Sequence, residues 1–337
     1  MRSGSAATSF SSTFDSDLQK FETDAGFLAY DTVPALETAV AFFDPVLANP
    51  DDSDATRRLL NDFLEAHPRC CFLHCGPQFT AALADAGLLI NPYGVENRVA
   101  LPLSLKGTRM RGLRREVSAA QALGVQVEAI ADDVEATSDL WRELLEVNER
   151  WIKSRVAPVE VKRATRRAKA GPEKHTTKFV ARAPSGEAVG WACFDHIYES
   201  GQLVGVGLSV LRSDPRYPGV STMLAFEGAT ACADRYRPSL RFLDLGLSPL
   251  APVPDGMDWN PLAVCGLAEE CVVEPACARF VDVLFASLFR WGTRLYNTPG
   301  LAGWKRKWRP TEGVAYVGVQ NGYPVRELVA VLLLLVF

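Results

Sequence analysis

The stretch Arg212-Ser213-Asp214-Pro215-Arg216-Tyr217-Pro218-Gly219-Val220-Ser221 sits at a change of hydrophobic period. Before it, Gln202 to Leu211 reads as a strand. After it, Gly219 to Arg235 places Val220, Met223, Leu224, Ala231 and Cys232 near one helical face. The segment between is therefore a strand-to-helix turn, broken by proline and glycine. Free N–H groups at a helix start, the positive end of the helix dipole and two arginines suit a phosphate. An ordinary strand–helix turn has the same composition, and both readings stand at this point.

Working outward, the pattern repeats a familiar order. Phe179 to Ala183, Ala188 to Ile197 and Gln202 to Leu211 form a three-stranded meander joined by Pro-Ser-Gly and Glu-Ser-Gly turns. Leu240 to Leu245 is the next strand, Phe280 to Tyr296 an amphipathic helix, and Ala315 to Val319 a last strand. Upstream, Asp139 to Ile152 is a helix with Leu140, Leu144, Val147 and Trp151 on one stripe. Strands, then a helix after a basic glycine turn, then strand, helix, strand is the plan of the N-acetyltransferase-like (GNAT) fold.

The first half carries a looser version. Gly26 to Tyr30 and Thr38 to Phe43 are strands, Asp54 to Ala66 a helix, and Cys70 to His74 a strand. Pro77 to Gly87 is a helix, Val95 to Leu103 a strand, Lys106 to Leu123 a helix, and Val125 to Ile130 a strand. The predicted fold class is α/β (α+β), a tandem of two fused GNAT-like mixed-sheet halves over 21–135 and 136–325. A disordered tail over 1–20 and an apolar tail over 326–337 flank them. A chain of 337 residues has room for two cores.

Composition narrows the function classes. Hydrophobic residues at 48% and charged residues at 23% are globular values, and a net charge of −4 excludes a polycation that coats nucleic acid. The region 153–178 departs from that balance. It holds nine lysines and arginines, among them Arg163, Arg166, Arg167 and Lys169, against Glu160 and Glu173. Such a run is either a solvated face or a phosphate-binding strip. Eight irregularly spaced cysteines in a chain of this size point to a reducing compartment. His67-Pro-Arg-Cys70-Cys71-Phe-Leu-His74-Cys75 has ligand types for zinc, but Cys70 to Cys75 also reads as a buried strand with cysteine as a small hydrophobe. The Ser/Thr/Ala-rich start is no secretory signal, and no run of about 20 apolar residues exists. Val329 to Phe337 either packs or dips into lipid; packing is favoured.

Three features carry candidate chemistry. Arg216-x-x-Gly219-x-Ser221 partly matches the turn by which acetyltransferases hold the coenzyme A pyrophosphate, with Ser221 departing at the last position. Leu243-Asp244-Leu245-Gly246-Leu247-Ser248 ends a strand at a glycine that permits close backbone approach. Trp304-Lys305-Arg306-Lys307-Trp308 interleaves cations with indoles, a pattern that clamps phosphate while stacking on a base. No Ser-His-Asp or Cys-His arrangement is readable: Asp195 and His196 are neighbours on a strand and point to opposite faces.

Taken in order, these stretches resemble the C-terminal domain of the phosphatidylglycerol lysyltransferase family. Lys106-Gly107 through Leu113-Arg114, Trp151 to Arg155, Ser209-Val-Leu-Arg212 followed by Asp214-Pro215 and Gly219-Val220, Leu245 to Leu250, and Tyr296 to Pro310 match five family motifs in sequence. The resemblance spans about residues 26 to 320. It implies two GNAT-like halves and a transferase that moves an aminoacyl group, lysyl-like, from aminoacyl-tRNA to a hydroxyl acceptor, a lipid such as phosphatidylglycerol.

The same resemblance implies roles for individual residues. Arg212, Lys305 and Lys307 are expected to stabilise charge or bind the tRNA end, with Asp244 a carboxylate near the site. Ser209, Arg216, Gly219, Gly246, Ser248, Trp304 and Trp308 are expected to bind substrate, and Arg163, Arg166, Arg167 and Lys169 the tRNA. No metal or redox cofactor is expected. The expected location is cytoplasmic, with peripheral contact at the membrane inner face if the acceptor is a lipid; the family's membrane-embedded region has no counterpart here. Ser209 stands where the family has an acid. Two other readings remain: an acyl-coenzyme A N-acyltransferase, and a non-catalytic module that binds tRNA or a membrane surface.

Overall fold

A computed structural model describes residues 17–49, 52, 54–135, 137–155, 169–199, 201–254, 257, 275–292, 297–320 and 324–336. Eleven strands, β1 (Gln19–Thr23), β2 (Gly26–Val33), β3 (Thr38–Leu47), β4 (Cys70–Cys75), β5 (Leu89–Ala100), β6 (Gln126–Ala129), β7 (Thr176–Arg182), β8 (Ala188–Glu199), β9 (Gln202–Ser213), β10 (Phe242–Pro249) and β11 (Thr311–Val319), make one mixed sheet. Its order is β1-β2-β3-β4-β11-β5-β10-β9-β8-β7-β6. Among the described residues the α-helices are α1 (Ala55–Ala66), α2 (Pro77–Asp85), α3 (Arg111–Ala122), α4 (Asp139–Lys153), α5 (Val220–Arg235), α6 (Pro275–Trp291), α7 (Thr298–Arg306) and α8 (Val325–Val336).

Two neighbouring strand pairs are parallel, β3 with β4 and β9 with β10, and each pair is joined by a crossover helix, α1 or α5. That is the GNAT-like core, present twice. The halves are not simply side by side. β11 from the end of the chain lies between β4 and β5, and β5 lies between β11 and β10. Each half thus lends a strand to the other, and the exchanged strands form the seam of the sheet.

The partition of the helices follows from their apolar faces. α1 and α2 bury Leu59, Leu60, Phe63, Phe79 and Leu83 against Leu28 and Phe72. On the other face of those strands, α6 and α8 bury Val281, Phe285, Ala330, Val331 and Leu334 against Phe42, Leu73 and Val317. The apolar tail expected over 326–337 is therefore a packed helix. Leu113, Val117 and Ala120 of α3, spaced i, i+4, i+7, pack with α5, and β6 pairs with β7 at the far edge of the sheet. Residues 111–129 were expected with the N-terminal half; in the structure they cover the C-terminal one, because α5 carries the apolar surface that α3 needs. β1 already begins at Gln19, inside the stretch expected to be a disordered tail, and residues 1–16 lie outside the described ones. Cys70 and Cys71 enter cores on opposite faces, as strand alternation requires, and burial pushes the Cys71 and Cys75 thiols well up.

Candidate active site

β9 and β10 run in register from Gly205↔Phe242 to Gly207↔Asp244 and then part. Both strands are distorted there. On β9, Leu208 faces Phe194 and Val210 faces Cys193, which leaves Ser209 as the extra residue of a bulge, its Oγ donating to the Cys193 carbonyl at 3.2 Å. On β10, Asp244 faces Arg98 of β5 and Leu247 faces Glu96, so one residue is extra here too. Gly246 takes φ +76°, the left-handed region that favours glycine. The Asp244 carboxylate, fully buried, accepts from the Gly246 N–H at 2.7 Å and from Arg98 Nε at 3.1 Å, and so holds the bulge in shape. Asn97 Nδ2 lies 3.0 Å from the Gly246 carbonyl and 3.1 Å from Ser248 Oγ.

Into this gap α7 sends Lys305. Its Nζ donates to the Leu247 carbonyl at 2.7 Å, and the residue is 5% exposed. Burial pulls the ammonium down to about 7, against the opposing charges of Asp244 and Glu96. A lysine so placed is divided between amine and ammonium near neutral pH, which fits it for proton transfer. Glu96 is held by His74 Nε2 of β4 at 3.1 Å. Burial works to raise the Glu96 carboxyl, but His74, Arg98 and Lys305 hold it below its ordinary value.

α7 is itself fixed by the N-terminus of α5. Trp304 Nε1 donates to Thr222 Oγ1 at 3.0 Å, Thr222 Oγ1 donates to the Glu116 carboxylate, and Lys307 Nζ donates to the same carboxylate at 2.6 Å. Gly219, at φ +85°, abuts α3: a Cβ there would stand 1.9 Å from the Glu116 carbonyl oxygen. Glu116 thus stands at the helix start that acetyltransferases leave to a phosphate.

The expected site residues separate into groups. Asp244, Gly246, Ser248 and Lys305 converge, while Ser209 lies on the β9 bulge just past the last β9–β10 pair and bonds toward β8. Trp308 is buried in the core with α5, so its indole is not presented to a base, and Trp304 is spent on Thr222. Arg212 points to α4, with Nε on Asn148 Oδ1 at 2.9 Å and its guanidinium 4.0 Å from the centre of the Trp151 ring. Arg216 is tied to Asp214 at 2.7 Å and Glu187 at 3.1 Å, and Arg150 also binds Asp214 at 2.8 Å. Lys169 is exposed, and its carbonyl accepts from Lys178 Nζ at 2.8 Å; Arg163, Arg166 and Arg167 lie outside the described residues. His196 bonds Thr177 Oγ1 at 2.9 Å and burial pulls it down to about 4, so it forms no pair with Asp195. Glu96 and Arg98 were not singled out from the sequence, and His74 was weighed only as a zinc ligand type; the one signal for the pair on β5 was the polar run Glu96-Asn97-Arg98.

The family model described as phosphatidylglycerol lysyltransferase, C-terminal, matches residues 2–317. The chain belongs to that family. The phosphatidylglycerol lysyltransferase C-terminal fold is also what its structural neighbours share. A C-terminal domain of a putative lysylphosphatidylglycerol synthetase from Agrobacterium fabrum is 20% identical, with a TM-score of 0.68, over 99% of this chain and 93% of that one. L-PGS from Bacillus licheniformis is 17% identical, with a TM-score of 0.69, over 94% and 89%. A conserved protein of unknown function from Bacteroides thetaiotaomicron is 14% identical, with a TM-score of 0.58. No curated protein matches the chain. Among the described residues no helix is long and apolar enough to cross a membrane.

Proposed function

We propose that this member of the phosphatidylglycerol lysyltransferase family transfers an aminoacyl group from aminoacyl-tRNA to the hydroxyl of an acceptor, a lipid met at a membrane surface. The observation that carries the proposal is Lys305, buried where β9 and β10 part and poised near neutrality. In the proposed step the acceptor oxygen bonds to the aminoacyl carbonyl carbon while the neutral Lys305 amine takes the hydroxyl proton. The ammonium so formed stands by the developing oxyanion. Collapse breaks the bond to the tRNA ribose oxygen, and Lys305 returns the proton to that leaving group. Asp244 and Gly246 hold the backbone that presents the lysine. The basic run over 153–178 is the segment proposed to meet tRNA phosphates; of its described cations Lys153, Lys169 and Lys174 are exposed, while Lys178 is buried.

The plugged start of α5 favours this donor over acyl-coenzyme A. A pyrophosphate there would face the Glu116 carboxylate, and Gly219 is already spent on the α3 backbone. The deciding experiment offers the protein labelled aminoacyl-tRNAs with a lipid extract, and separately labelled acyl-coenzyme A with amines. Label in the lipid phase from aminoacyl-tRNA is the expected result. Label transferred only from acyl-coenzyme A would replace the proposal with the N-acyltransferase reading. Binding of charged tRNA should weaken steeply with salt, because several phosphates release counterions.

A further inference from the structure

Lys305 belongs to the C-terminal half, yet one of the two carboxylates acting on it comes from the other half. The strand exchange puts β5 directly beside β10, and the bulge of β10 sets Leu247, whose carbonyl holds Lys305, opposite Glu96. Glu96 does not stand alone. His74 reaches it from β4, two strands away across β11, and is 7% exposed. To do so, the backbone of β4 bulges against β11, where Cys75 faces Tyr316 and Leu73 faces Val317, and His74 takes φ +63°. A non-glycine residue in the left-handed region inside a strand is strained and persists where the surroundings fix it. What this bulge achieves is the 3.1 Å contact between His74 Nε2 and Glu96 Oε1.

We propose that Glu96, clamped by His74, is a positioning residue for Lys305, so that the N-terminal half sets the charge state of the reactive lysine in the C-terminal half. This rests on the proposed role of Lys305, but it concerns the lysine itself and not the identity of donor or acceptor. The charged groups around the lysine are few. Asp244 on β10 and Glu96 on β5 draw it toward the ammonium form, and Arg98 on β5 binds Asp244. Asp44 on β3 lies near Glu96 and His74. Immediately after Lys305 in sequence, Arg306 pairs with Glu312 of β11 and Lys307 with Glu116 of α3. Glu96 is the member of this set whose position depends on a strained residue of another strand.

The test needs no substrate. Protein labelled with carbon-13 at the lysine side chains is titrated by NMR, and the Lys305 signal is assigned as the one missing in Lys305→Arg. In Glu96→Gln, which keeps the shape of the side chain, the Lys305 midpoint is expected to fall by about one unit, the effect of losing one opposite charge at short range. In His74→Asn, which tolerates a positive φ, the Glu96 carboxylate is released and the midpoint is expected to move as well, by less. Thermal unfolding of each variant shows that it is folded. A midpoint unmoved in folded Glu96→Gln overturns the proposal, and so does a midpoint unmoved in folded His74→Asn. Failure of the protein to transfer aminoacyl groups at all would count against the proposed function and leave this result standing.

Discussion

The two parallel strand pairs of this molecule are built alike and finished differently. β3/β4 and β9/β10 are each joined by a crossover helix, and each has a bulge in both strands: Phe43 at φ +69° and His74 in the first, Ser209 and Gly246 in the second. In the N-terminal pair the gap is closed from within. Asp44, from β3 itself, accepts from the Gly76 N–H at 2.7 Å, and a Cβ at Gly76 would meet that carboxylate at 2.7 Å. In the C-terminal pair the gap receives a side chain from far along the chain, Lys305 of α7. In the proposed reading, a fold that opens two gaps furnishes one reactive centre. What decides between them is which residue the following segment delivers, and not the sheet.

The largest effect that would sharpen the contrast is on rate. Lys305→Ala should lower aminoacyl transfer by ~10²–10³ with the fold intact, the usual loss for one preorganised charged contact. Asp44→Asn, at the matching place in the other half, should leave transfer near the parent rate. A comparable loss from both substitutions would break the distinction between the gaps.

The next effect is on stability against pH, and the two gaps should respond with opposite signs. The Asp44 carboxyl is pushed up to about 6 by burial, above its ordinary 3.8. The folded protein therefore holds that proton more tightly than the unfolded chain, and stability falls as pH rises from about 4 to 6. Asp44→Asn should remove that fall, about 1–3 kcal/mol, read as the difference between parent and variant in urea unfolding at each pH. Lys305 is pulled the other way, to about 7 from 10.5. The folded protein binds that proton less tightly, so stability rises from about pH 7 to 10, and Lys305→Met should flatten the rise. Curves for parent and Lys305→Met that stay parallel across that range would mean the lysine is not desolvated.

A smaller contrast lies on α8. Leu334 faces the core and Leu332 faces outward at 49% exposure. Leu334→Ala should cost ~2–5 kcal/mol, and Leu332→Ala within about 0.5 kcal/mol. Equal costs would mean that the outward face of α8 is covered in solution.

Much of this was readable from the chain, and the remainder has identifiable physical causes. The meander, the turn at Gly219 and the helices with i, i+4 stripes are local, so their periodicity announced them. The run Trp-Lys-Arg-Lys-Trp drew attention to Lys305, and the acid and glycine at a strand end to Asp244 and Gly246; the structure brings the three together, and their role belongs to the proposal. The exchange of β5 and β11 was not legible, since pairing between strands so far apart in sequence leaves no mark on local pattern. For that reason Glu96 and Arg98, which reach the site only through the exchange, were missed, His74 was weighed only as a zinc ligand type, and α3 and β6 were expected with the other half. Trp308 and Arg216 were expected to meet substrate. Sequence cannot tell an indole facing solvent from one filling a core, nor a free guanidinium from one held by Asp214.

The most direct measurement is the pH dependence of single-turnover transfer from aminoacyl-tRNA to lipid, in the parent and in Lys305→Met. The account predicts a parent rate that rises with pH through an inflection near 7, as the Lys305 amine is freed, and a slow variant whose profile lacks that inflection. A folded Lys305→Met protein that transfers at the parent rate, with the same inflection, would contradict it.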